Sequence, residues 1–245
     1  MKSDPKGLLN PQFIPRVLVM AIVIAAVAFI GRQALAERVN AHYVTGVEVP
    51  VSSVSFTAAG KDVDLALNFA PVAGQNLTLV RNTGPQFIQG EFNNLAHGQI
   101  VALQFQGVTF HFVANYYGGD GKDLVLMPIR LDDLSDAARA KLNDVLVLAL
   151  KKSRGQAPFD RATSLRPEVV EKDGTVLVDI QASFSGELLN QIAQLGVEVN
   201  KNWQTSTSVR GWVPLAQLEA VANLAGIQSI SAATLTVTRH LPRPQ

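Results

Sequence analysis

The feature that most restricts this chain is the spacing of turn chemistry between Val47 and Arg130. Seven short apolar or alternating runs occur there: Val47–Phe56, Val63–Phe69, Leu77–Val80, Phe87–Phe92, Ile100–Phe105, Val108–Val113 and Leu124–Ile129. They are separated by segments such as Ala59-Gly60-Lys61-Asp62, Asn82-Thr83-Gly84-Pro85, His97-Gly98, Gln106-Gly107 and Gly118-Gly119-Asp120-Gly121. Glycine reaches positive φ at little cost, and Asn and Asp bond neighbouring backbone, so each segment favours a reversal. None of the runs carries helical periodicity. Residues 45–130 are therefore expected to form an all-β domain, either a small sandwich or a few turns of a β-solenoid.

The composition changes after Arg130. Asp132–Lys152 reads as one amphipathic helix: Ser135 or an Asp caps it, acids crowd its start and Lys151 and Lys152 stand at its end. Residues 131–172 are thus expected to be a helix followed by an exposed linker with two prolines. The next 70 residues alternate regularly. Thr175–Ala182, Val197–Trp203, Ser206–Val213 and Ile227–Thr238 read as strands, and Ser185–Leu195 and the segment from Pro214 to Gly226 as helices. The order β-α-β-β-α-β predicts a ferredoxin-like plait over residues 173–240, one sheet face covered by two helices and the other open. Residues 241–245 form a tail. The fold class expected is α+β, with an N-terminal hydrophobic helix, the β domain and then the plait.

That N-terminal helix is expected at Val17–Ile30, fourteen uninterrupted apolar residues. They contribute about +46 to a summed hydropathy of about +42 for the whole chain, so the rest is slightly hydrophilic. Lys2, Lys6 and Arg16 precede the run, and Ala34-Leu35-Ala36 offers a small-residue cleavage site. Residues 1–36 are read as a signal peptide or an uncleaved signal anchor. As an anchor, residues 17–36 would stretch to a bilayer only by taking in Arg32 and Gln33. Either way residues 37–245 are expected outside the cytoplasm, in the periplasm or at the cell surface. Loss of Lys2, Lys6, Arg16, Arg32 and Asp4 leaves 17 basic and 19 acidic residues, a net charge of −2. That balance argues against nucleic acid as a partner, which needs a concentrated basic face. The sequence has no cysteine, which removes disulfides, thiolate metal sites and cysteine nucleophiles.

Two stretches resemble known families. Asn82-Thr83-Gly84, Ile88-x-Gly90-x-Phe92, Gly107-Val108-Thr109-Phe110 and Tyr117-Gly118-Gly119-Asp120-Gly121-Lys122-Asp123-Leu124-Val125-Leu126 occur in that order. Across about Leu65–Pro128 this resembles the closing β segment of autotransporter-type bacterial surface proteins, with Lys122 where Asn is usual. That resemblance implies a structural or adhesive surface component. The second stretch runs through Leu195-Gly196-Val197, Gly211-Trp212-Val213-Pro214, Leu218 and Gly226-Ile227. From about Asp132 to Arg239 it resembles the propeptide modules of subtilisin-like proteases. It implies a plait that packs its open face on a protease and lays its tail, here Arg239, His240 and Leu241, along a cleft. A free-standing inhibitor or folding helper of such a protease is the expectation that follows.

Few residues point to catalysis. There is no G-x-S-x-G elbow, no H-E-x-x-H, and the four histidines are scattered. No enzymatic activity and no cofactor are expected. One metal reading stays open: Gly118–Leu126 fits a single calcium nonapeptide, with Asp120 and Asp123 as ligands. The competing reading is a glycine-rich hairpin turn in which both aspartates bond the backbone. Trp203 and Trp212, on adjacent predicted strands, are candidate partner-binding residues; equally each could be core. The leading expectation is a non-catalytic, protein-binding component of a bacterial cell envelope, exported or held in the membrane, with a protein partner outside the cytoplasm.

Overall fold

The computed structural model describes residues 36–157 and 169–233. The apolar run at 17–30, part of the linker, and Arg239, His240 and Leu241 lie outside the described residues. Contacts along the chain set Met1–Ala36 apart from Glu37–Gln245, and the second unit is described below. It is a mixed α and β structure with several sheets in which strand predominates.

Strand β1 (Glu37–Tyr43) runs parallel to β3 (Lys61–Leu67), from Glu37 opposite Lys61 to Tyr43 opposite Leu67. Strand β2 (Val51–Ser53) runs parallel to β4 (Leu77–Asn82). The passage β1–β2 therefore stacks on the passage β3–β4 like successive turns of a coil. A further layer begins at Asn94, whose side chain takes the N–H of Val63 (2.8 Å) and donates to its carbonyl (2.7 Å). It does for β3 what another strand would do, satisfying backbone groups that would otherwise face an edge. The run at Phe87–Phe92 yields only isolated bridges, whereas β1 lies ahead of the expected start at residue 45.

From Gly98 the chain changes style. Strands β5 (Ile100–Phe105), β6 (Val108–Gly118) and β7 (Asp123–Pro128) form an antiparallel meander that joins β4, in the order β2-β4-β7-β6-β5. One face of this sheet, with Leu77, Leu79, Phe112, Leu124 and Leu126, closes a core over Ala41, Tyr43, Val63 and Leu67.

The opposite face of β6 and the exit from β7 belong to a second core. Val113, Ile129 and Leu131 pack with two helices, α1 (Asp136–Lys141) and α2 (Asp144–Ser153). The single helix expected over Asp132–Lys152 is thus two. Leu142 leaves helical geometry and bridges Ile230 in parallel, and Asn143 N–H donates to the Ile230 carbonyl at 3.1 Å. The Asn143 side chain then caps α2 by accepting from Leu146 N, a cap of the kind that contributes about 1 kcal/mol. Asp144 ties the modules together, its carboxylate accepting from Ile100 N at 3.0 Å.

The last part comprises β8 (Glu171–Lys172), β9 (Thr175–Ala182), α3 (Gly186–Gln194), β10 (Glu198–Gln204), β11 (Ser208–Pro214), a 3-10 turn (Leu215–Gln217), α4 (Leu218–Asn223) and β12 (Ile227–Ala232). Its sheet order is β10-β11-β9-β12, every neighbour antiparallel, with β8 also paired to β9. Alternation along β9 sends Val176, Val178, Ile180 and Ala182 to the helix side, where they meet Leu188, Ile192, Leu218 and Val221. Each such large side chain stabilises the fold by about 1.5–3 kcal/mol on full burial. Gly211 lets β10 approach β11, since a Cβ there would lie 2.7 Å from the Glu198 carbonyl oxygen.

Candidate functional site

The side chains that alternate away from the helices define the other face of this last sheet, where Leu177 is buried, Asp179, Ser208, Arg210 and Trp212 are half-buried and Gln181 is exposed. On β11 they are Ser208, Arg210 and Trp212, and on β9 Leu177, Asp179 and Gln181. The register sets Arg210 directly opposite Asp179. Its guanidinium donates from Nε to Oδ1 and from Nη2 to Oδ2, both at 2.7 Å. This two-point geometry is the strong form of an arginine–carboxylate pair. The side-chain hydrogen bond to Asp179 raises the Arg210 pKa against the opposing effect of burial.

Strand β10 is irregular between Val199 and Gln204. The irregularity brings Trp203 beside Arg210, whose Cζ lies 4.6 Å from the indole centroid. Trp203 nevertheless remains 58% exposed, so a cation braces one large aromatic ring that most of the solvent can still reach. Trp212 is half-buried and stands opposite Leu177 and Glu198, not opposite Trp203. The two tryptophans therefore share a sheet without pairing. Sequence reasoning singled out both but missed Arg210 and Asp179, the pair that fixes one of them. The available signal was alternation, which puts Asp179 among the outward positions of an otherwise apolar strand.

The glycine-rich segment forms the β6–β7 connection. Gly121 N–H donates to the Gly118 carbonyl at 2.8 Å, and Gly118 pairs with Asp123. Asp123 Oδ1 accepts from Asn82 N at 2.8 Å, and Lys122 Nζ donates to the Gly84 carbonyl at 2.7 Å. Asp120 makes no side-chain hydrogen bond among the described residues and is exposed. Among the described residues there is no group of three or more His, Asp or Glu arranged to hold a metal ion.

The histidines have distinct settings. His42 lies exposed on β1. His97, expected beside a turn, is 6% exposed. Its Nδ1 accepts from Tyr116 N at 3.2 Å, and its Nε2 is buried without a partner. Burial lowers its pKa, with Glu91 acting in the opposite direction. His111 is half-buried on β6, on the same side as Val113 rather than fully in solvent. His240 lies outside the described residues.

No family model matches the chain, and no curated protein or solved structure matches it significantly. Among the described residues no helix is long and apolar enough to cross a membrane.

Proposed function

We propose that this chain is a non-catalytic protein-binding component of a bacterial cell envelope, exported or anchored by its N-terminal segment. On this reading the order β9-α3-β10-β11-α4-β12 is a ferredoxin-like plait that offers its open face to a protein outside the cytoplasm. The observation that carries it is the exposed Trp203 ring, braced by Arg210 and Asp179. Tryptophan and arginine are enriched among the residues that dominate binding energy at protein interfaces. Holding them rigid in advance lowers the entropy lost on docking. The basic start, apolar run and Ala34-Leu35-Ala36 support export, and the absence of cysteine is consistent with stability from packing alone.

The strand order β10-β11-β9-β12 also favours a more specific reading, an inhibitor or folding helper of a subtilisin-like protease. That order joins the sequence resemblance over Asp132–Arg239, which by itself is carried mostly by apolar positions.

A photo-crosslinking residue at Gln181, on the open face, should capture a partner in the producing cell, and one at Asn190 on α3 should not. Trp203→Ala should abolish capture at 181 without changing the melting temperature. Equal capture at both positions, or capture indifferent to Trp203→Ala, would sink the proposal. For the protease reading, the chain should inhibit a subtilisin-like protease, and deletion of Arg239–Gln245 should weaken inhibition. Undiminished inhibition by the shortened chain would count against a tail in the cleft.

A further inference from the structure

A second feature shares no residue with the Trp203 face. Where the first sheet meets the helices, a cleft of about 990 Å³ opens between the loop after β3, the exit from β7 and the ends of α1 and α2. This is the size of a small-molecule site. Its apolar side is formed by Val72, Pro128, Ile129 and Leu131. Val72 is 68% exposed at the mouth, while Ile129 and Leu131 are buried and continuous with the second core.

The charges decide what such a cleft could hold. Arg130 donates to both oxygens of Asp132, from Nε at 3.2 Å and from Nη2 at 2.7 Å. Lys151, itself 1% exposed, is paired with Asp133. Both of these pairs line the cleft and cancel. Arg139 also lines it, but its partner Asp136 is a 95% exposed side chain on the same helix and no part of the lining. Exposed pairs of that kind contribute little, so the guanidinium can exchange one carboxylate for another. His111 stands on the same side of β6 as Val113. Burial, and secondarily the charge of Arg139, lowers the His111 pKa and so favours the neutral imidazole, which still offers one N–H donor.

We propose that this cleft binds a monocarboxylate with a hydrophobic body, its carboxylate received by Arg139 and His111 and its apolar part laid along Val72, Pro128, Ile129 and Leu131. A planar guanidinium matches a carboxylate by its paired N–H groups. With His111 neutral, the lining carries one net positive charge, enough for a monoanion. A dianionic phosphate would leave a negative charge uncompensated beside Asp132 and Asp133.

Calorimetric titration of the full chain with sodium hexanoate tests this, with hexylammonium and inorganic phosphate as comparators. Hexanoate should bind saturably, and Arg139→Gln should weaken it about tenfold or more, as loss of a charged hydrogen bond does. Val72→Asp should weaken it as well, by placing a carboxylate at the mouth. Neither substitution should change the melting temperature, since both side chains are exposed. Absence of saturable hexanoate binding, or unchanged affinity in Arg139→Gln, overturns the proposal. So does equal affinity for hexylammonium, or displacement of hexanoate by phosphate at similar concentration.

Discussion

Replacing Asp133 by asparagine should destabilise the protein far more than replacing its partner Lys151 by methionine. Lys151 is the most buried charged side chain among the described residues, 1% exposed at the end of α2, and Asp133 is 34% exposed. In Asp133→Asn the ammonium is left with neutral acceptors only, the new amide oxygen and that of Gln156 at 3.5 Å, and with no counter-charge in contact. Breaking a fully buried pair in this way costs about 3–5 kcal/mol. Because Asp133 is a third exposed, water can reach its side of the pair, and about 2–3 kcal/mol is expected. For a unit of this size that is a melting-temperature drop of roughly 5–10 °C. Lys151→Met is the opposite case. It fills the same space with an apolar chain and leaves Asp133 to solvent and to Arg154, whose Nη1 is 3.9 Å away. Its cost should stay within about 1 kcal/mol, because removing a buried charge also removes its desolvation penalty. Urea denaturation followed by circular dichroism measures both. Equal destabilisation by the two substitutions, or an Asp133→Asn variant as stable as the parent, would refute the argument from a buried cation.

Two further outcomes follow from particular residues. His97 has its pKa lowered from 6.5 by burial, so the unfolded chain binds its proton more readily than the folded one; stability is therefore fully present above about pH 6.5 and falls as the pH drops through that value. His97→Gln keeps an acceptor for Tyr116 N and should flatten the dependence of the urea midpoint between pH 5 and 7, whereas an unchanged slope would assign it to other groups. Gly84→Ala would set a Cβ 1.8 Å from the Val54 carbonyl oxygen. Since that oxygen is backbone and cannot turn aside, a loss of about 2–4 kcal/mol is expected, and a melting temperature within a degree of the parent would show that the Val54 segment yields freely.

What the sequence made legible was periodicity. Alternation along Thr175–Ala182 and the cap at Ser185 yielded β9 and α3 nearly to the residue, and Ser135 was among the candidate caps for the start of α1, because each depends on local chemistry. The break at Leu142 was not legible. Its residues continue the helical stripe, and what interrupts them is the edge of β12, some 90 residues further on, which offers the Ile230 carbonyl to Asn143. The same limit applies to His97. Its neighbour Gly98 signalled a turn correctly, but the segment folds back under Tyr116 and buries the ring.

The candidate face shows the limit most clearly. Periodicity can say that Asp179, Arg210 and Trp203 point away from a core, yet it cannot say that they meet. Arg210 reaches Asp179 because β11 and β9 pair in one register; a shift by one residue would turn Arg210 toward the helices. Trp203 reaches Arg210 only because β10 departs from regular pairing between Val199 and Gln204. In a regular ladder with Val199 opposite Gly211, Arg210 would face Asn200, and the tryptophan would lie beyond it. The irregularity that weakens an edge strand is therefore what assembles the face. Deleting Asn200, Lys201 and Asn202 would join Val199 to Trp203 and restore a regular ladder with Trp203 still opposite Arg210. Partner capture at Gln181 should then survive together with the fold; capture lost while the fold survives would mean that residues 200–202, and not Trp203, are what the partner recognises.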